Sequence, residues 1–300
     1  VPIPTYYGDE ICHVNGIAYA FHCLATILRS LANRVHLVYH PKFDLARDAT
    51  QYRFKKAPTS LHQFVLGQKL PRNLQILELG AGSGDVGLAL YKRGGKVCAV
   101  DLKRPDRSFP YLYIEQDLNE AFAEPVLRQM GRSAGIVVAL DVLEHLNEPE
   151  KSIRELRETL SPGGILLAST GNVAYAPLRL GLLLGQFNYG KKGILDLTHR
   201  RLFTIRSFCR TLEGEGFEIR KVRGFGPPIQ DMVGDSLVWR ILDRCSGFLA
   251  WIWPSLFSYQ FIVEAVRLDD IDDILARTVR DERVSGRASE SETPRRRAGG

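Results

Sequence analysis

Residues 76–90 read Ile76-Leu77-Glu78-Leu79-Gly80-Ala81-Gly82-Ser83-Gly84-Asp85-Val86-Gly87-Leu88-Ala89-Leu90. A short apolar run (Ile76, Leu77, Leu79) meets three alternating glycines, and apolar residues then resume at helical spacing through Val86, Leu88, Ala89 and Leu90. That pattern is a buried strand, a tight turn and a helix, with glycine where a ligand must approach the backbone. Amide N–H groups at the helix start then face whatever lies over the turn.

Two ligand classes use such a turn. Gly82-x-Gly84-x-x-Gly87 satisfies the dinucleotide fingerprint, with Asp101 at the end of the next strand as a ribose partner. Glu78 tilts the choice, because a carboxylate there crowds a pyrophosphate and suits an amino-acid ammonium group. The segment Glu78-x-Gly80-x-Gly82-x-Gly84 resembles the first motif of the class I S-adenosylmethionine-dependent methyltransferases. The resemblance implies S-adenosylmethionine as cofactor, with Glu78, Gly80, Ala81, Gly82, Ser83 and Gly84 around its methionine end. A glycine turn serving only packing is the bland alternative, and the order of the later motifs argues against it.

Lys96–Val100 is an apolar-rich strand that ends at Asp101 and Leu102. In the resemblance Asp101 binds the ribose hydroxyls; read alone, an acid at a strand end is a solvated cap. Ile114-Glu115-Gln116-Asp117-Leu118 resembles the third motif, whose acid accepts from the adenine amino group. Gly135–Leu140 is an almost wholly apolar run, as a parallel strand buried on both faces should be. It delivers Asp141-Val142-Leu143-Glu144-His145, a string resembling small-molecule methyltransferases of the quinone-biosynthesis type. That implies Asp141 and Val142 beside the cofactor, and the whole segment bordering the transferred methyl.

A helix over 149–160 follows, then a turn at Ser161-Pro162-Gly163-Gly164 and a strand over Ile165–Ser169. Five β-α steps in this order describe a doubly wound, Rossmann-like α/β sheet with helices on both faces and ligand over its carboxyl edge. Phe217–Val222 and Gln260–Val266 complete a seven-stranded methyltransferase sheet with a terminal antiparallel hairpin. The methyltransferase domain is placed over 59–268.

Composition fits. Three hundred residues hold one full domain plus appendages, and 45% hydrophobic content can bury a real core. Five scattered cysteines show neither a C-x-x-C pair nor zinc spacing, which suits a reduced, cytoplasmic setting and implies no metal. Signal-peptide and membrane-spanning patterns are not seen in the sequence. The net charge of +6 hints at acidic partners, but Lys and Arg are dispersed and no basic helix or aromatic platform points to nucleic acid.

Residues 1–58 stand apart. The chain starts at Val1, as a processed or excerpted product would. Residues 1–16 and a helix-like stretch over 17–32 resemble the carboxyl-terminal part of glycosyltransferases of the polyprenyl-phosphate-mannose-synthase type. Tyr52, Lys55 and Ser60-Leu61-His62 fit the same resemblance. The nucleotide-sugar half of such an enzyme is absent, so this segment is expected to be a remnant beside a glycosyltransferase, or else a simple cap over the cleft.

Acceptor choice is expected from residues 171–204. Leu178, Leu180, Leu182, Leu183 and Leu184 make a short apolar helix, read as a lid packed on the sheet edge, or as a lipid contact. Asn172, Tyr175, Tyr189 and Arg200 are the candidate acceptor contacts. The string Leu195-Asp196-x-Thr198-His199-Arg200-Arg201-Leu202-Phe203-Thr204 resembles a subgroup from surface-polysaccharide gene neighbourhoods, which implies a sugar or lipid-linked glycan acceptor. His145 and His199 are the candidate general bases, since imidazole titrates near neutrality. Either could be structural instead.

Trp239–Phe257 carries Trp239, Phe248, Trp251, Trp253 and Phe257. A core-facing helix is the first expectation, and an aromatic surface on a membrane the second. From Asp269 on, mixed charge with Ser, Gly and Arg predicts one amphipathic turn and then a disordered tail. Three functions stay open: glycan O-methylation, methylation of another small molecule such as a quinone-like acceptor, and a non-catalytic S-adenosylmethionine-binding module attached to a glycosyltransferase. A nicotinamide dehydrogenase leaves Glu78 and the Asp141–His145 string unexplained.

Overall fold

The computed structural model describes residues 15–34, 41–43, 60–68, 71–229 and 236–270. The expected features at Tyr52, Lys55 and the carboxyl-terminal tail lie outside these residues, as does most of the glycosyltransferase-like stretch. Strands β1 (Gln75–Leu79), β2 (Lys96–Asp101), β3 (Leu112–Glu115), β4 (Ala134–Leu140), β5 (Leu160–Gly171), β6 (Phe217–Phe225) and β7 (Gln260–Arg267) form one sheet in the order β3-β2-β1-β4-β5-β7-β6. Strand β7 runs antiparallel to both β5 and β6, while β1 to β5 are parallel. The terminal hairpin is the one anticipated from sequence.

Register fixes the site. Leu79 pairs with Val100 on one side and Ala139 on the other, so β1, β2 and β4 end level. The glycine turn, Asp101 and Asp141 therefore meet at one edge of the sheet. Side-chain alternation sends Leu77, Cys98 and Val137 to one core and Ile76, Val97 and Val138 to the other. Glu78 shares the Ile76 face. That parity sends its carboxyl towards the helix after the turn rather than into the opposite core.

The helices are α1 (Gly16–Arg34), α2 (Leu61–Leu66), α3 (Asp85–Lys92), α4 (Ala123–Met130), α5 (Pro149–Thr159), α6 (Ala176–Leu183), α7 (Ile205–Gly214), α8 (Leu237–Ile252) and α9 (Pro254–Phe257). Ser60 caps α2, its Oγ accepting from the Gln63 amide. Ser60 and His62, read above with the glycosyltransferase resemblance, thus belong to the first helix of the sheet domain, whose Leu61 and Val65 enter the core. Thr204 and Ser207 make a reciprocal capping box on α7. Helix α5 buries Ile153 and Leu156 in the core and starts at Pro149, where the missing amide is no loss.

Two expectations are corrected. The Ser161–Gly164 turn lies inside β5, which begins at Leu160 and meets β4 with a shifted register between Ala134 and Ile136. Helix α6 half-buries Ala176, Pro177, Leu178 and Gly181 and leaves its other residues exposed. Helix α8 is not core-facing: it buries Asp243 and Ala250 and leaves Leu237, Ile241, Phe248 and Trp251 exposed.

Candidate active site

The glycine turn holds a conformation that side chains resist. Gly80, Gly82 and Gly84 take φ of +65°, +50° and +71°, a region that favours glycine. A Cβ on Gly80 would strike Val142, which couples the turn to the segment after β4; above Gly82 nothing lies within 4 Å. The turn is packed below and open above.

Three side chains brace it. The Gly82 amide donates to Asp101 Oδ2 at 2.7 Å, while the Tyr113 hydroxyl donates to Gly82 O at 3.1 Å. The Tyr111 hydroxyl donates to Gly84 O at 2.8 Å. Burial pushes both phenols upward, so both remain donors. Phe109 stacks on Tyr113 with ring centroids 4.8 Å apart, and Arg107 pairs with Asp85 at 3.0 Å. Sequence reading missed both tyrosines. The signal available was only that an aromatic cluster precedes β3.

Glu78 is buried beneath the turn, and its Oε2 has no hydrogen-bond partner. Burial, reinforced by Asp101 and Asp85, pushes its carboxyl up to about 8; the nearby Gly87 amide offsets only part of this. A buried acid without a counter-charge holds its proton. Glu78, Gly80, Ala81, Ser83, Asp85 and Leu140 line one cleft together with His62, which the sequence reading had placed with the glycosyltransferase resemblance instead. An orphaned carboxyl oxygen at the floor and an open glycine turn above it fit an amino-acid ammonium group and carboxylate. The cofactor's methionine end carries both.

Asp117 Oδ1 accepts from the amide and side chain of Asn119 at 2.8 and 2.9 Å, and Leu118 is buried in the core. Leu102 is exposed beyond β2. Asp141 sits at φ +55°, strained for a non-glycine residue. Its carboxylate accepts from Ser169 Oγ at 2.9 Å and from Gln260 Nε2. Those bonds tie the ends of β4, β5 and β7, so Asp141 serves the sheet edge with the group expected beside the cofactor.

The two histidines come together. Their rings make a T-shaped contact with centroids 4.7 Å apart. His145 Nδ1 lies 3.1 Å from Thr198 Oγ1, and His199 Nδ1 lies 2.9 Å from Ile194 O. The latter bond makes Nδ1 the protonated nitrogen, leaving His199 Nε2 as the acceptor. Burial, aided by the His145 ring beside it, holds the His199 pKa below its ordinary value, which favours the neutral ring. Glu144 is buried behind His145 and pushed to about 8 by burial and by Asp141, and its carbonyl accepts from the amides of Arg200 and Arg201.

The acceptor candidates separate. Asn172 is fully buried: Nδ2 donates to Ser258 O at 2.9 Å and Oδ1 accepts from the Ala174 amide at 3.1 Å. Both ends of its amide serve the fold, which corrects its placement among acceptor contacts. Tyr175 packs edge-on against Tyr259, with burial raising its phenol pKa. Tyr189 packs against Phe187 and stays exposed, and the Arg200 side chain is exposed. Among the described residues no group of His, Cys, Asp or Glu could hold a metal ion.

Residues 49–222 match a family model described as a methyltransferase domain. Curated relatives include a ubiquinone biosynthesis O-methyltransferase of Pseudomonas aeruginosa, 25% identical over 165 residues, covering 53% of this chain and 67% of the relative. A protein of that name from Aeromonas salmonicida is 25% identical over 158 residues, covering 50% and 65%. Among solved structures, an S-adenosylmethionine-dependent methyltransferase of Mesorhizobium loti aligns with TM-score 0.43 and 19% identity, over 68% of this chain and 96% of that one. A didemethyltoxoflavin N1-methyltransferase of Burkholderia thailandensis aligns with TM-score 0.44 and 14% identity, over 89% and 99%.

Proposed function

The chain belongs to the methyltransferase-domain family, and on that premise we propose that it transfers a methyl group from S-adenosylmethionine to a hydroxyl of a small acceptor. The observation carrying this reading is continuity. Val142 packs on Gly80 of the cofactor turn, and three residues later His145 meets His199 at 4.7 Å. Cofactor cleft and proton acceptor are thereby built from one segment.

Bound S-adenosylmethionine supplies an activated methyl group on a sulfonium sulfur. The chain's own residues supply position and proton removal. Glu78 would hold the ammonium group, the open turn over Gly82 would take the carboxylate, and Asp101, which holds the Gly82 amide, would bind the ribose hydroxyls. His199 Nε2 or His145 would take the proton that the acceptor hydroxyl gives up on methylation. Such in-line transfer depends mainly on alignment, and a neutral imidazole receives the proton at neutral pH.

A ring hydroxyl of quinol type is the favoured acceptor, supported by the Asp141–His145 string and by the names of the curated relatives. The glycan reading rests on the Leu195–Thr204 string alone, because the matched residues begin at 49 and lend the glycosyltransferase-like segment no support. The test is transfer of labelled methyl from S-adenosylmethionine to a dihydroxybenzoate with a hydrophobic tail, beside a lipid-linked oligosaccharide fraction. Label on the phenol, lost in Asp101→Ala, supports the proposal. Label only in the oligosaccharide restores the glycan acceptor.

A further inference from the structure

Helix α8 is packed inside out. The residues turned towards the protein are small or polar. Asp243 is buried and accepts from the Ile229 amide at 3.3 Å, and Ala250 is fully buried. A Cβ on Gly226 would meet Ser246 Oγ at 2.5 Å and the Gly247 amide at 3.1 Å, and one on Gly224 would meet Ala250 O at 2.8 Å. Asp243, Ser246, Gly247 and Ala250 thus form the packed stripe, at helical spacing.

The opposite face carries Leu237, Val238, Ile241, Leu242, Phe248, Leu249 and Ile252, all exposed. An amphipathic helix ordinarily buries such a face. Large contiguous apolar patches on a surface mark a partner.

Two features identify the partner's chemistry. Arg240 and Arg244, one turn apart, are exposed beside the apolar face, while the only acid of the helix, Asp243, is turned inward. The charged side chains that this helix itself exposes are therefore both basic. Trp251 and Trp253, 69% and 55% exposed, stand at the carboxyl end of the helix, and tryptophan favours the boundary between lipid tails and headgroups. No helix among the described residues is long and apolar enough to cross a membrane. Such a helix lies in the interface plane.

We propose that α8 docks the protein on an anionic lipid bilayer, its apolar face among the acyl chains and Arg240 and Arg244 on the headgroups. The neighbouring α6 extends this edge. Arg179 ties α6 to Ser255 O at 3.2 Å, just past α8, and Leu180, Leu182, Leu183 and Leu184 are exposed on it. Both helices arise where β5 and β6 end, at the acceptor edge of the sheet. The docking itself does not depend on which acceptor is methylated.

Flotation of the full chain with vesicles of phosphatidylcholine, with and without phosphatidylglycerol, tests the proposal. The chain should float with the anionic vesicles, and less so as salt rises. Arg240→Gln combined with Arg244→Gln should weaken partitioning by roughly thirty-fold. Phe248→Ser combined with Trp251→Ser should remove it, with circular dichroism and S-adenosylhomocysteine affinity unchanged. If the aromatic double variant loses its fold, the arginine pair decides. A chain that stays unbound with anionic vesicles, or binds equally in the arginine variant, overturns the proposal. Self-association broken by the aromatic variant, without flotation, assigns the face to a second copy and also overturns it.

Discussion

The Glu78 carboxyl and the backbone of Gly87 share one space. A Cβ at residue 87 would collide with Glu78 Oε2 and stand 3.0 Å from the Tyr111 hydroxyl. Gly87 therefore keeps room for the buried acid under the turn, a role distinct from the third glycine of a dinucleotide fingerprint. Gly87→Ala should displace the carboxyl and weaken S-adenosylhomocysteine binding by about tenfold or more, read by titration calorimetry. Binding unchanged in that variant would remove Glu78 from the cofactor site.

Glu78 also sets a pH dependence. Its pKa is raised from 4.5 to about 8, so between those values the folded state holds a proton that the unfolded state has lost. Its contribution to stability is greatest at or below pH 4.5, declines as pH rises towards 8, and is level beyond. Cofactor binding runs the other way, because an ammonium partner favours the ionised acid. The ratio of wild-type to Glu78→Gln affinity should climb as pH rises towards 8, by up to about tenfold per unit. Taking the ratio removes the ligand's own titration. A flat ratio would mean that the acid does not meet the ammonium.

Much of this site was legible because buried parallel strands read as continuous apolar runs and left-handed turns demand glycine. Ile76–Leu90 and Gly135–His145 carry both signals. What was hidden is non-local. Tyr111 and Tyr113 reach the glycine turn only once β2 and β3 pair, and His145 meets His199 across a span no local pattern encodes. Asn172 was read as an acceptor contact by resemblance, yet its partners come from Ser258 and Ala174. For α8, apolar residues outnumber the packed stripe, so periodicity alone could not say which face turns inward.

Asn172 should act on stability and not on cofactor affinity. Asn172→Ala leaves the Ala174 amide and the Ser258 carbonyl without their side-chain partner, and should cost about 1–3 kcal/mol in denaturant unfolding. S-adenosylhomocysteine affinity should stay within error of wild type. A variant of full stability and reduced acceptor affinity would return Asn172 to the acceptor site.

The histidine pair should separate chemistry from binding. His199→Gln should lower kcat by roughly a hundredfold and leave S-adenosylmethionine binding intact. The lowered His199 pKa places the acidic limb of the wild-type kcat profile below the ordinary histidine range, and that limb should vanish in the variant. Should only His145→Gln show this behaviour, His145 is the proton acceptor and His199 its support.

The central claim is that the turn braced by Asp101 binds S-adenosylmethionine. The most direct measurement is calorimetric titration of S-adenosylhomocysteine into the wild type and Asp101→Ala, with oxidised nicotinamide dinucleotide as the rival ligand. Saturable one-site binding by the wild type, weakened at least about tenfold in the variant and with no heat from the dinucleotide, is the predicted result. Dinucleotide binding in its place, or S-adenosylhomocysteine bound equally by both proteins, would contradict it.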